Sequence, residues 1–559
     1  MKKHILSVLA LAGLISLSSC SDFLDVQPEG ESTTDNYFSN DQQAIDAIDA
    51  LYARLQQENV FGREFFWEQG GGQDVVWGRT RGYKTLAQLT YTGDESPLRD
   101  TFTQFYNTMA RSNWVISALL ERQAERELTA VENRSLGEAY FLRALAHYYV
   151  AYRYGTKDQG VPFVQYEKVP GGYNFTIPPQ QASVVDDYAL IIEDMQEAMK
   201  YLPKVEEYDA ANLGRAHKAA CLGYIAKTYA YWAMWDKTQW QNVINTVNEM
   251  EKSYGRGLEP EFADLFSPDT NKFFGPEYVW SIPGYGGETP GGSEFPGVIL
   301  ENKGWGLYNG WGQNKPSLNL YEELAKDGAD NVRLRNSVLE YGQEFQFFGE
   351  TRRFYSTSDV ESGFMCAKYL QPFADAECIS KGMVSANGDW PTVRVNFPLL
   401  RFADMKLLRA EAYIMMGQAD QATKDINDVR TRSRLATLDH TPTMMDIYHE
   451  RRCEFAFEFA DALFDLKRWH LSSDCPELKE LKAETEKALC TQPRVRNYED
   501  RSNPDSKFTE GYYADNRVET GGDYNGVRLS QYDDHLLVFP YPSEVLTESN
   551  GQLKQNAGY

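Results

Sequence analysis

Apolar residues recur every three or four positions through two stretches of the chain, and lose that rhythm between and after them. In the first stretch Ala44, Ile45, Ile48, Leu51, Tyr52 and Leu55 share one helical face. They predict a helix from about 41 to 57, with Ser39-Asn40-Asp41-Gln42 as its capping box. Phe102, Phe105, Tyr106, Met109, Trp114, Ile116 and Leu120 predict a second over roughly 97–126. Thr129 and Glu132 make another capping box, ahead of a helix reaching about Tyr154. The same period predicts helices over 180–201, 214–235 and 238–252, then over 402–416, 418–434 and 443–471. Links this short fold each helix back on its predecessor, so antiparallel helical hairpins are expected. Small residues line two of them (Ala216, Ala219, Ala220, Gly223, Ala226; Ala403, Ala410, Ala412, Gly417), as close-packed tetratricopeptide-like pairs require.

Between about 255 and 398 the texture changes, and Gly, Pro, Tyr, Trp and Phe interleave without a helical period, as in 285–292. A second irregular zone runs over 491–540. Irregular segments of this length are too long for simple connections and are functional or partly disordered. The expected fold is mainly α: a tetratricopeptide-like scaffold of helical hairpins with large, irregular, aromatic-rich loop insertions. One unit over 20–559 is expected, comprising a helical part to 254, an insertion over 255–398, a helical part over 399–490 and a loop-rich tail.

Hydrophobic residues at 42% and charged residues at 25% are near the globular norm, which excludes a disordered or fibrous chain. Acidic residues outnumber basic ones 81 to 56, and a field of that sign repels phosphate backbones, so no nucleic-acid partner is expected. Aromatic residues reach 13%, an excess that a core alone need not use.

The first residues read as an export signal. Lys2 and Lys3 precede an apolar run over 5–17 that is too short to span a bilayer, and Leu17-Ser18-Ser19-Cys20 matches a bacterial lipobox. Cleavage of residues 1–19 would leave Cys20 as an acylated N-terminus, and two or three acyl chains anchor a protein far more firmly than one. Six further cysteines are too sparse to frame the fold. Cys221 and Cys453 fall on helical patterns as buried thiols, and if any bridge exists, Cys366 with Cys378, in a loop-rich stretch, is the expected pair. No CxxC, HExxH or histidine cluster appears, so neither a zinc site nor a cofactor is expected. No Gly-x-Ser-x-Gly elbow, Walker loop or Cys–His signature appears either, and no carboxylate pair stands out as a glycosidase dyad.

Several tracts together resemble the SusD/RagB family of surface glycan-binding lipoproteins. They begin with 20–28, which reads CSDFLDVQP, and 106–113, YNTMARSN. The most specific is EAYFLRALAHYY over 138–149, followed by Tyr154-Gly155 and Gly160-Val161-Pro162-Phe163. Further on come 192–198, 214–216, Leu400-Arg401-Phe402-Ala403-Asp404-Met405, 450–458 and Phe464-Asp465-Leu466-Lys467-Arg468-Trp469, with QNAGY closing the chain. The resemblance is collinear over nearly the whole chain. It implies a non-enzymatic protein that binds glycans and delivers them to a partner TonB-dependent outer-membrane transporter (SusC-like), which it caps as a lid. It also implies a cell-surface position in the outer membrane, held by lipid on Cys20. Peptide capture on the same fold is a second reading, and a helical scaffold that binds only protein is a third. Arg143, Arg215, Arg401, Arg451 and Arg468 lie on mostly apolar helices, where an unpaired charge would cost several kcal/mol. They are expected to form buried ion pairs with Glu138, Asp404, Glu454, Glu458 and Asp465.

A sugar ring offers an apolar C–H face and a rim of hydroxyls, so its site needs flat aromatic platforms with polar side chains beside them. Two clusters fit. The first holds Trp67, Asp74, Trp77, Arg79, Arg81 and Tyr83. The second holds Trp280, Tyr285, Trp305, Tyr308, Trp311 and Asn314, then Arg352, Arg353, Tyr355 and Trp390. Trp305 and Trp311 each sit between glycines, which leaves little neighbouring bulk to bury them. Trp77, Trp305 and Trp311 are the expected platforms, whereas Trp114, Trp232, Trp235 and Trp469 lie on helices and are expected in the core.

Overall fold

The computed structural model describes residues 38–62, 68, 71–76, 81–163, 168–169, 172–173, 178–283, 312, 314–347, 349–354, 362–371, 395–458, 462–473, 475–500, 503, 505–514, 517–519 and 532–559. Its helical frame begins with α1 (Asp41–Leu55), α2 (Arg81–Gln88), α3 (Ser96–Glu125), α4 (Ala130–Tyr154), α5 (Val184–Tyr201), α6 (Lys218–Trp232) and α7 (Gln239–Ser253). The insertion adds α8 (Leu318–Ala325) and α9 (Val332–Ser337). The frame resumes with α10 (Phe402–Met415), α11 (Ala419–Arg432), α12 (Met444–Glu454), α13 (Ala462–Leu471) and α14 (Lys479–Cys490), and α15 (Ser543–Glu548) lies in the tail. The strands are short antiparallel ladders. They include β1 (Val75–Val76), β2 (Tyr278–Ile282), β3 (Lys315–Pro316), β4 (Val338–Glu340), β5 (Glu344–Phe347), β6 (Glu350–Arg353), β7 (Phe364–Cys366) and β8 (Phe397–Arg401), and a three-stranded sheet of β9 (Arg494–Tyr498), β10 (Phe508–Ala514) and β11 (Arg517–Glu519).

The caps explain where the helices start. Thr129 accepts from the Glu132 amide at 3.1 Å while Glu132 accepts from the Thr129 amide at 2.9 Å, the expected reciprocal pair. At α1 the cap is Asn40 rather than Ser39, with its side chain accepting from the Gln43 amide. Ser183 and Asp186 form a capping box that starts α5 four residues later than the periodicity predicts.

Helix α4 is the axis of the frame. Every residue from Ser135 to Tyr154 is buried, because α1, α3, α5 and α6 pack around it. Across the insertion α7 packs on α10, which continues the stack through α11 and α12. Close approach needs small residues at the crossings. A Cβ added at Gly223 of α6 would stand 2.5 Å from Leu400 and 2.8 Å from Val279, on the β2–β8 ladder beneath. Much of the aromatic excess is core after all. Tyr148, Tyr149 and Tyr152 of α4 meet Tyr224 and Tyr231 of α6, with the Tyr149 and Tyr224 hydroxyls 3.1 Å apart.

The buried arginines pair as the apolar context demands. Arg143 makes a bidentate bond to Asp194 and reaches Asn113, while Glu138 instead serves Arg215. Arg451 joins Asp404 and Asp465, and Arg468 joins Asp465 and Glu411.

The single helix expected over 443–471 is two, α12 and α13, separated by a turn in which Phe457 takes φ +62°. The carbonyls freed by this break find donors in the insertion. Lys368 Nζ bonds those of Glu454 at 3.0 Å and Ala456 at 2.8 Å, and the Tyr369 hydroxyl bonds that of Phe457 at 2.8 Å.

His217 caps α6 through Nδ1, which accepts from the Ala220 amide at 3.3 Å. Burial, with the Arg256 charge adding, pushes this imidazole down from 6.5 to about 3. Below pH 6.5 the unfolded chain therefore takes up a proton that the folded chain refuses. Stability should fall between pH 6.5 and 3 by up to about 1.4 kcal/mol per pH unit from this group. Urea midpoints of the wild type and of His217→Asn, which keeps a capping oxygen, should converge as pH drops. Parallel curves would contradict the assignment.

Candidate functional site

The short ladder β1–β3 organises the site. Val75 pairs with Pro316 and Val76 with Lys315, so the chain leaves β1 and enters β3 at the same end of one ladder. Residue 77 follows β1 directly, and residues 305–314 lead directly into β3. The stems of the two aromatic clusters are therefore hydrogen-bonded neighbours. Ser317 locks the stem: its amide donates to the Asp74 carbonyl at 2.9 Å and its hydroxyl to the Gln73 carbonyl at 2.8 Å, while that hydroxyl also caps α8.

Beside the ladder opens a cleft, with Gln73, Asp74 and Val75 along one wall. Phe455, Phe457, Leu463, Phe464 and Trp469 make it predominantly apolar. Gly71 lets the 71–76 segment settle onto α13, since a Cβ there would stand 2.9 Å from Leu463. Arg452 of α12 holds the rim, donating to both oxygens of Asp74 at 2.9 and 2.5 Å and to Glu323 at 2.5 Å. Its guanidinium stacks over the Tyr448 ring at 5.0 Å, and the Tyr448 hydroxyl accepts from Gln73 at 3.2 Å. Burial, with the neighbouring acids adding to it, pushes that hydroxyl up to about 12, so it stays protonated. Deeper in, Arg153 grips Glu68 with bonds of 2.7 and 2.8 Å.

Asp74 thus stands at the cleft rim as part of an ion pair. Trp67, Trp77, Arg79, Tyr285, Trp305, Tyr308, Trp311, Tyr355 and Trp390 lie outside the described residues, as do the side chains of Arg81 and Tyr83, the acylation site Cys20, and Cys378. Cys366 is a buried thiol of β7.

Trp280 corrects the expectation of a platform. It is buried at 3% exposure in β2, edge-on to Phe141 of α4 at 5.2 Å and near Tyr224, so it offers no face to a ligand. Trp280→Ala should cost about 3–5 kcal/mol of stability through the cavity it leaves. At a temperature where that variant stays folded, ligand retention should match the wild type. Arg352 and Arg353 sit on the β5–β6 hairpin, where Arg352 pairs with Glu350 and Arg353 with Asp505. Those partners belong to the hairpin and to the turn before β10, not to the β1–β3 stem. Tyr448 and Arg452 escaped the sequence reading. Their four-residue spacing on one helix was the available signal, but the partner, Asp74, lies 378 residues before Arg452.

The architecture defines a class: a helical-hairpin frame whose irregular insertion and N-terminal segment meet at one ladder beside an apolar cleft. The chain belongs to the SusD family, whose model matches residues 276–559, and a second model described as "Starch-binding associating with outer membrane" matches 22–230. It is 25% identical over 461 residues to SusD-like protein P38 of Formosa agariphila, covering 79% of this chain and 84% of that one. A SusD-like protein of Bacteroides fragilis has the same fold, with a TM-score of 0.70 at 19% identity over 94% of this chain and 98% of the other. So has surface glycan-binding protein A of Bacteroides thetaiotaomicron, solved in complex with laminarihexaose, with a TM-score of 0.64 at 16% identity over 92% and 99%.

Proposed function

We propose that this chain is a cell-surface lipoprotein that captures oligo- or polysaccharide and passes it to a TonB-dependent outer-membrane transporter of the SusC type, over which it acts as a lid. In this reading acylated Cys20 anchors it in the outer membrane, Trp77, Trp305 and Trp311 are the platforms, and no reaction is catalysed. The observation that carries it is the β1–β3 ladder, which joins the stems of two aromatic segments that are more than 200 residues apart in sequence. Family membership, the outer-membrane association in the second model's description and the laminarihexaose complex of a relative of the same fold support it.

Two or three platforms, less the cost of association, give roughly micromolar to millimolar affinity. That range suits a protein that must release its ligand onward. A lipid tether beside the transporter keeps the lid at high effective concentration, so weak contacts suffice to close it. Affinity electrophoresis of residues 21–559 through gels containing plant, host and microbial polysaccharides tests the capture step. Retardation by at least one polymer is expected. Free mobility in every gel, together with no heat of binding for their oligosaccharides, would refute it.

A further inference from the structure

Where α8 ends against α12, four side chains with ligand chemistry meet. His449 and Cys453 are one helical turn apart on α12, and Glu323 and Asp327 stand at the same spacing at the end of α8 and just beyond it. His449 Nδ1 is 2.6 Å from Glu323 Oε1, its Nε2 is 3.0 Å from Asp327 Oδ2, and Cys453 Sγ is 4.0 Å from that Nε2. One donor atom from each of Asp327, His449 and Cys453 falls within 4.8 Å of the others. We propose that these three side chains bind a divalent transition-metal ion, zinc by the chemistry of the donor set, with Glu323 as the carboxylate that orients the imidazole.

The donors select the ion. One thiolate, one imidazole and one carboxylate suit zinc, whereas calcium and magnesium require oxygen. Bonds of about 2.0 Å to N and O and about 2.3 Å to S, at tetrahedral angles, set ligand atoms roughly 3.2–3.6 Å apart. The observed 3.0 and 4.0 Å bracket that span. Sγ is slightly closer to Nδ1, at 3.8 Å, so loading requires the ring to turn about its Cβ–Cγ bond until Nε2 faces both the sulfur and Asp327.

The second partners are in place too. Glu323 takes the Nδ1 side of the ring, the arrangement in which a carboxylate fixes the tautomer of a metal-binding histidine. Arg430 holds the other Asp327 oxygen at 2.9 Å. Nearby guanidinium groups also have carboxylate partners outside the cluster, Arg430 and Arg333 at Glu450 and Arg452 at Asp74. Loading displaces one proton from the imidazole and one from the thiol, so a doubly charged ion leaves the charge of the cluster unchanged. Cys453 is fully buried while the His449 side chain keeps 20% exposure, which protects the sulfur and leaves the ion a path from solvent. Standard motif spacing misses the site because Asp327 precedes His449 by 122 residues. An ion here would clasp the insertion to the C-terminal helices, directly behind the Arg452–Asp74 rim.

Cobalt(II) added to the reduced chain without its lipidation cysteine, residues 21–559, is the first probe. One ion per chain and a near-ultraviolet thiolate-to-cobalt band are expected, with the band gone in Cys453→Ser and affinity at least about tenfold weaker in Glu323→Gln. Zinc-edge X-ray absorption of the zinc-loaded wild type needs no variant and should find one sulfur at about 2.3 Å. A wild type without the thiolate band, a band that survives Cys453→Ser, or a zinc shell of N and O alone would overturn the proposal.

Discussion

Arg401→Ala should destabilise this protein by about 3–5 kcal/mol, enough to leave most of it insoluble or unfolded at 37 °C. The side chain is 2% exposed and sits where β8 passes into α10. Its Nε donates to Glu458 at 2.6 Å and its Nη2 to the same carboxylate at 2.9 Å, while Nη1 reaches Glu454 at 3.0 Å and also Glu277. Arg432 bridges Glu277 and Glu454 from the other side, Arg333 meets Glu454 at 3.1 Å, and Lys368 meets Glu458 at 2.5 Å. The three acids come from the insertion (Glu277), from the last residue of α12 (Glu454) and from the turn after it (Glu458), so this cluster fixes how those segments meet. Removing Arg401 leaves buried carboxylates with fewer donors than their desolvation requires, and that cost exceeds what the intact network contributed. Arg401→Lys should recover only part of the loss, because one ammonium cannot reproduce the bidentate hold on Glu458. Soluble yield and urea midpoints of the two variants measure this directly. If Arg401→Ala melted within a degree of the wild type, the cluster would not be what fixes the register.

Much of this could be read from the chain because the signals are local. Helical period, Thr129 with Glu132, and arginines on apolar faces each act within a turn or two. They placed α1, α3, α4, α6, α7, α10 and α11 to within about four residues at either end. What failed to show was non-local. Nothing near Phe457 announces that the expected helix must break, because the groups that make the break tolerable, Lys368 and Tyr369, come from the insertion. The sheet of β9, β10 and β11 was hidden in a tail that read as loop, since short strands with mixed burial carry little period. The site divides in the same way. Aromatic loops flanked by glycine can be recognised in sequence, but Trp280, set in a similar aromatic-rich stretch, is buried by α4 and α6. The pairing of Val75 and Val76 with Pro316 and Lys315, far away in sequence, brings the two loop stems to one place.

Replacing Trp77, Trp305 and Trp311 together by alanine should abolish glycan retention while leaving the melting temperature close to that of the wild type. Each indole face that removes about 80 Å² of apolar surface from water contributes about 2 kcal/mol, or roughly a thirtyfold change in affinity. From a micromolar-to-millimolar start, losing even two such faces takes binding beyond measurement. A single Trp77→Ala should weaken retention by roughly tenfold or more, and Arg452→Gln should weaken it less, because Arg452 acts only by holding Asp74 and the stem of β1. The contrast with Trp280→Ala makes the test decisive. A platform contributes to binding and little to folding, whereas a core ring contributes to folding and nothing to binding. Gel retardation and calorimetric titration with the retained glycan, run beside thermal melting of each variant, separate the two. If the triple variant ran like the wild type in the retaining gel, the three rings would be packing, and capture would have to lie elsewhere on the surface.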